Sequence, residues 1–262
     1  VHRRGRNSRP TPRHPAAGCT RFRVEHVVVP ILVFHKIGPV PPDSHFPRNY
    51  VRPEQFDALL GSLRGAGFQG ISFDQYLAHR RGDSTLPRKP ILLTFDDGYR
   101  STAEVAVPIL RKHGFAATIF VVSGRLGGSN AWDAEETQEP LMTASEVCAL
   151  HEEGFHFGSH TMTHVRLTTV APELALRELR DSREALEQLL SEPVRTICYP
   201  WAQHDAKVRQ LARQAGYECG VGIRRRLNRD ETELMALHRI PVTYLDTVWR
   251  MRWDLFRLRF RH

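Results

Sequence analysis

The chain has 262 residues, 41% of them hydrophobic and 25% charged, with a formal net charge of +8. That balance fits a soluble globular chain with a full core, as one large domain or two small ones. Arginines crowd both ends ("VHRRGRNSRPTPRH" and "WRMRWDLFRLRFRH"), and the chain has no zinc-finger spacing, RNP motif or basic–aromatic groove pattern, so the charge does not imply nucleic acid.

In chain order, residues 1–24 are rich in arginine, proline and small residues and read as a disordered basic segment. They lack the apolar core of a secretory signal, and no later stretch reaches the ~18 apolar residues of a membrane span. As written, the chain is expected to be cytoplasmic or membrane-peripheral unless a leader precedes it. "VVVPILVF" (27–34) reads as a strand, and "RPEQFDALLGSLRGAG" (52–67) as a helix with Phe56, Leu59, Leu60 and Leu63 on one face. "GISF" (70–73) is strand-like, and "DQYLAHR" begins a helix that Asp74 could cap. "PILLTF" (90–95) is a fully apolar strand, and "STAEVAVPILRKHG" (101–114) a helix with Ser101 and Glu104 spaced as a capping box. "AATIFVV" is a strand. "TASEVCALHEEG" is a helix with Thr143 and Glu146 as a second capping box. "FHFGSH" is a short strand and "APELALRELRDSREALEQLL" a long amphipathic helix. "VRTICYP", "DAKVRQLARQAG" and "YECGVG" continue as strand, helix and strand. The four cysteines are far apart, form no CxxC and read as small, mostly buried residues.

Apolar strands alternating with helices imply a mainly parallel sheet, either closed like a barrel or open and doubly wound. Residues 25–244 read as one domain, followed by a basic aromatic tail, 245–262. In either architecture chemistry gathers at the C-terminal strand ends. The notable polar residues fall there: His35 after "VVVPILVF", Asp96 and Asp97 after "ILLTF", His160 after "FHFGS", and "YPW" after "VRTIC".

"GSHTMTH" sets His160 and His164 four apart, and in a helical turn both imidazoles would share one face. Among 14 histidines such a pair is expected by chance; its place at a strand end, with "DDG" at another, gives it weight. Two histidines and one carboxylate make a catalytic zinc set with a position open for water. One aspartate would then bind metal and the other stay free as a base. Taken alone, "DDG" reads as a strand-to-helix turn with a capping aspartate.

Together these segments resemble the polysaccharide deacetylase family, the group with the NodB homology domain (carbohydrate esterase family 4). "TFDDGY" resembles its first motif, "HTMTH" its second and "YPW" its third, across roughly residues 27–243. "PILVFHKIG" and "LHRIPV" look most like the branch that deacetylates poly-N-acetylglucosamine in exopolysaccharide systems. The resemblance implies a distorted (β/α) barrel, a divalent metal of the zinc kind, and hydrolysis of N-acetyl groups on a glycan, with that N-acetylated polysaccharide as partner. It puts Asp97, His160 and His164 in the ligand places, Asp96 in the place of the general base, Thr161 in support of the histidine loop, and the Trp201 backbone N–H beside the oxyanion.

The chain departs from the family pattern in three places. Cys198 and Tyr199 stand where many members carry an arginine that braces the base, Ala202 replaces a glycine, and "NAWD" (130–133) reads as a surface loop rather than as a cleft motif supplying Trp132 or Asp133. Two histidines compete as general acid. His238 in "ALHRIP" resembles the family's leucine–x–histidine motif loosely, because Leu237 is adjacent to it. His35 ends the first strand, and in this branch the acid motif looks moved to the N-terminal end. An imidazole suits proton donation to an amine near neutral pH. The same residues would serve an O-acetyl esterase on a polysaccharide, and a catalytically weak glycan-binding relative is the remaining rival. In the tail, Trp249, Trp253, Phe256 and Phe260 form one helical stripe flanked by five arginines. Such a helix either packs against the barrel or lies on an anionic membrane.

Overall fold

A computed structural model describes residues 27–258. Its strands are β1 (Ile31–Phe34), β2 (Lys36–Ile37), β3 (Tyr50–Val51), β4 (Gln69–Gly70), β5 (Pro90–Phe95), β6 (Thr118–Val121), β7 (His156–Ser159), β8 (Thr196–Cys198), β9 (Cys219–Val221) and β10 (Ile240–Pro241). The helices are α1 (Pro53–Gly65), α2 (Phe73–Arg81), α3 (Val107–His113), α4 (Ala144–Glu152), α5 (Pro172–Leu190), α6 (Ala206–Gln214) and α7 (Val248–Leu258). The main sheet runs β10-β1-β5-β6-β7-β8-β9, with β4 added beside β5, and every pairing is parallel.

Its two edges are joined by one segment. Leu237 bridges to Val221 at the β9 edge, while Ile240 pairs with Leu32 of β1. The sheet therefore curls into a distorted (β/α) barrel, and residues 237–242 close it. β5 is buried at all six positions, as a strand covered on both faces must be. α1 presents Phe56, Leu59, Leu60 and Leu63 to the core, and its Phe56 ring packs edge-on against Phe34 and Phe95 with centroids 5.0 and 5.8 Å apart. Each such side chain contributes about 1.5–3 kcal/mol on full burial.

Several local readings are corrected. Ser72, not Asp74, caps α2: its Oγ accepts the Gln75 N–H at 3.1 Å while Gln75 Oε1 accepts the Ser72 N–H at 2.9 Å. The Ser101–Glu104 box does not form. Pro108 has no N–H to give the Glu104 carbonyl, and the chain widens into a π-turn at Thr102–Ala106, where the Val107 N–H reaches Thr102. The Thr143–Glu146 box does form. The segment after β7 is not helical. Thr161 and His164 have φ of 67° and 66°, and the loop is held instead by Ser159 Oγ accepting the Thr161 N–H and Thr161 Oγ1 accepting the His164 N–H. Residues 1–26 and 259–262, including the whole basic N-terminal segment 1–24 and Phe260, lie outside the described residues. α7 packs on α1, with Met251, Leu255 and Leu258 in the apolar cluster that holds Phe56 and Leu60.

Candidate active site

β5 ends in the turn Asp96-Asp97-Gly98. Asp96 keeps strand pairing, its N–H donating to the Phe34 carbonyl at 2.9 Å, whereas Asp97 and Gly98 turn over with φ of 71° and 75°. Glycine is needed at the second position: a Cβ on Gly98 would meet Val121 Cγ1 at 2.9 Å as well as the positive φ. The break in conformation sends the two carboxylates into different surroundings.

Asp97 Oδ1 lies 3.2 Å from His160 Nε2 and 3.3 Å from His164 Nε2, all three side chains buried. His160 Nδ1 lies 2.8 Å from the Cys198 carbonyl. A carbonyl can only accept, so Nδ1 donates to it; Nε2 faces Asp97, donating to it while the ring is doubly protonated and free to offer its lone pair once a cation displaces that proton. Two imidazole nitrogens and one carboxylate oxygen converging on one point is a donor set that suits a divalent cation of the zinc kind. Burial by itself would push the Asp97 carboxyl up, and the hydrogen bonds from His160 and His164 hold it well below the ordinary carboxylate range. Its charge is therefore available to a cation.

Asp96 meets a different partner. Arg239, fully buried, donates from Nη1 to Oδ1 at 2.6 Å and from Nη2 to Oδ2 at 2.7 Å. Its remaining donors go to the Gly222 carbonyl at 3.1 Å, Thr94 Oγ1 at 3.2 Å and Cys198 Sγ at 3.0 Å. Burial alone would raise the Asp96 carboxyl; the Arg239 charge and its paired hydrogen bonds overcome that and keep it below its ordinary value. Asp96, His160 and Cys198 also converge closely enough to suggest a metal cluster. The chemistry speaks against that second grouping: Asp96 is committed to Arg239, and burial pushes the Cys198 thiol up, away from the thiolate that a metal takes.

The other expected residues divide sharply. His35 reaches the cleft, its Nε2 3.8 Å from Asp96 Oδ2. Trp201 lines the cleft at φ 61°, its indole N–H donating to the His164 carbonyl at 3.2 Å. The Arg166 guanidinium lies over the Trp201 ring, 3.8 Å from the centroid. His238 does not line this cleft. It faces a separate groove with Arg226 and Glu233, because neighbours on an extended segment point to opposite sides and Arg239 takes the inward one.

Trp132 corrects the reading of "NAWD" as a surface loop. It stacks on His164, rings 4.5 Å apart at 25°, and with Asp133 lines the cleft of about 220 Å³. The loop is tied inward at two points. Asn130 is fully buried, with its side chain bonded to Thr137 and Glu139. Glu136 accepts the Phe46 N–H at 2.9 Å and lies 3.5 Å from the buried Lys36 ammonium, which sits over the Tyr50 and Tyr99 rings. Arg239 was missed as well; its signal was an arginine set directly before the apolar "IPV" of "LHRIPV".

The Polysaccharide deacetylase family profile matches residues 83–220, more than half of the chain. YxkH of Bacillus subtilis (strain 168), named as a polysaccharide deacetylase, is 26% identical over 215 residues, covering 82% of this chain and 71% of that protein. The poly-beta-1,6-N-acetyl-D-glucosamine N-deacetylase of Staphylococcus aureus (strain MRSA252) is 21% identical, covering 67% of this chain and 62% of that one, short of two thirds of its length. In fold, the chain is similar to the Streptococcus pyogenes deacetylase PplD, with a TM-score of 0.78 at 24% identity, covering 88% of this chain and 99% of that one. It is also similar to IcaB from Ammonifex degensii, with a TM-score of 0.73 at 21% identity, covering 87% and 97%. The DDG turn and the paired histidines both lie inside the matched region, and the chain belongs to the polysaccharide deacetylase family and is a hydrolase.

Proposed function

We propose that the chain removes acetyl groups from the nitrogen of an N-acetylated glycan of the poly-N-acetylglucosamine kind, using a divalent cation, zinc by preference. The observation that carries this reading is the separation of the two adjacent aspartates: Asp97 Oδ1 meets both imidazoles within 3.3 Å, while Asp96 is held ionised by Arg239 and faces His35. The staphylococcal relative's activity supports the glycan assigned.

Asp97, His160 and His164 would hold the ion. When bound, a divalent cation supplies a Lewis acid that polarises the acetyl carbonyl and acidifies water. Asp96 accepts the proton of the attacking water, since its carboxyl is buried, oriented by two hydrogen bonds and ionised at neutral pH. The backbone N–H of Trp201 is assigned to the developing oxyanion. Collapse breaks the C–N bond, and His35 donates the proton that the departing amine needs. Water and acetamide thus become acetate and a free amine. Trp132, stacked on His164, and Trp201 cover the histidine side of the cleft and limit the approach of bulk water.

The amine's need for an acid is what favours this reading over an O-acetyl esterase, whose alkoxide leaving group depends less on a matched imidazole. The deciding assay supplies zinc-loaded protein with a β-1,6-linked N-acetylglucosamine oligomer and, separately, with O-acetylated xylan, and measures acetate together with free amine. Acetate and amine in equal amounts from the first substrate is the expected outcome. Acetate from xylan alone would make the chain an esterase, and release from neither would leave a glycan-binding relative.

A further inference from the structure

α7 is apolar on two opposite faces. Met251, Leu255 and Leu258 are buried in the core cluster, and Asp254, the helix's one acidic residue, is buried and paired with Arg225. On the opposite side, spaced four and then three residues apart, Trp249, Trp253 and Phe256 are 75%, 53% and 56% exposed. Leu245, in the turn before the helix, is also 50% exposed. A helix already anchored by one face gains nothing for folding from aromatic side chains on the other, and large aromatics clustered in water mark an interaction surface.

Arg252 borders this stripe on one side, Arg250 and Arg257 on the other, and all three are exposed. The exposed face of α7 therefore holds aromatic rings between cations and no acid. We propose that it is a peripheral docking surface for an anionic lipid bilayer, with the aromatic rings seated at the headgroup–acyl boundary and the arginines among the phosphates. Trp and Phe on one face with arginine at its borders is the composition that interfacial helices use. Among the described residues no helix is long and apolar enough to cross a membrane, so the contact is one of lying on the surface.

Charge selects this occupant over two others. A second copy docking by the same face would bring two sets of arginines together. The chain's own residues 1–26 hold seven arginines against a single acid, Glu25, and would meet the stripe with the same sign. The inference is independent of the reaction proposed above, since none of Trp249, Trp253, Phe256, Arg252 and Arg257 lines the cleft.

The test is co-sedimentation of the full chain with phosphatidylcholine vesicles, with and without about one quarter phosphatidylglycerol. Binding should need the anionic lipid, weaken as salt screens it, and blue-shift the tryptophan emission. The triple variant Trp249→Ala, Trp253→Ala, Phe256→Ala should lose about tenfold or more of the partitioning, and the pair Arg252→Gln, Arg257→Gln should lose the preference for anionic lipid. Both variants should hydrolyse a soluble oligomer at the wild-type rate, which also reports that they fold. Equal partitioning of wild type and triple variant would overturn the proposal. So would self-association without lipid that the triple variant abolishes, since the occupant would then be a second copy.

Discussion

The two halves of the proposed active site are built by different means, although they start from adjacent residues. The side proposed to hold the metal rests on loops. Asp97, Thr161, His164, Trp201 and Ala202 all have positive φ, in the turns that follow β5, β7 and β8. Residues so placed cost of order 1–3 kcal/mol each and need local ties, which Thr161 Oγ1 and the Trp201 indole provide. The base side uses ordinary strand backbone and a buried ion pair. Asp96 keeps the β5 ladder, and its partner arrives 143 residues later, on the segment that closes the barrel. The first half is local chemistry under strain; the second depends on the whole sheet closing in register.

The largest effects should come from breaking the loop half. Asp97→Ala, His160→Ala and His164→Ala should each lose bound metal, and activity should fall by about a thousandfold or more, because the ion and the reacting water are lost together. Metal analysis after gel filtration checks this, and stoichiometric metal in all three would remove the assignment. Asp96→Asn breaks the other half without touching the donor set: metal content should be unchanged while kcat falls by about 10²–10⁴. Normal turnover would mean that the two aspartates do not divide the work. His35→Ala should keep metal and fold and lose about 10² in kcat, whereas His238→Ala, facing the other groove, should cost far less. The reverse ranking on an N-acetylglucosamine oligomer would transfer the acid role.

Arg239→Met tests the long-range partner itself. Removing the guanidinium leaves Asp96 buried and unpaired, so its carboxyl rises, and the acid limb of kcat/KM should move to higher pH. The folded state should lose about 3–5 kcal/mol, read by urea denaturation at neutral pH. The Arg239 pairing holds the folded carboxyl below its unfolded value. Its contribution is therefore present above the ordinary carboxylate range, and in the wild type it fades as pH falls through the depressed value. An unmoved acid limb would show that Asp96 does not carry the essential base. The smallest effect belongs to the roof of the metal half: Trp132→Ala should raise KM by about tenfold or less, with kcat and metal content nearly unchanged.

This contrast explains what could be read in advance. "TFDDGY" and "HTMTH" are each compact, and strand-end position is legible from apolar runs, so the barrel and the residues that form the buried Asp97–His160–His164 cluster were recognisable in the chain. The local backbone of His160 and His164 was not, because Ser159 and Thr161 hydroxyls tie it into a loop that four-residue spacing does not distinguish from a helical turn. Trp132 was passed over since what draws its loop inward is Glu136 beside Lys36, a contact across 100 residues.

By itself the sequence determined the periodicities, and through them the alternating strands and helices, the strand ends, and the identity of the groups that could bind metal. Only the tertiary structure decided which charged residue balances Asp96. In the absence of the arginine expected near Tyr199, the fold brings Arg239 to that place from the closing segment, past Cys198 and Thr94. The physical reason is that a buried carboxylate must find a cation somewhere, but nothing along the chain says where; that is set by which strands become neighbours when the sheet curls.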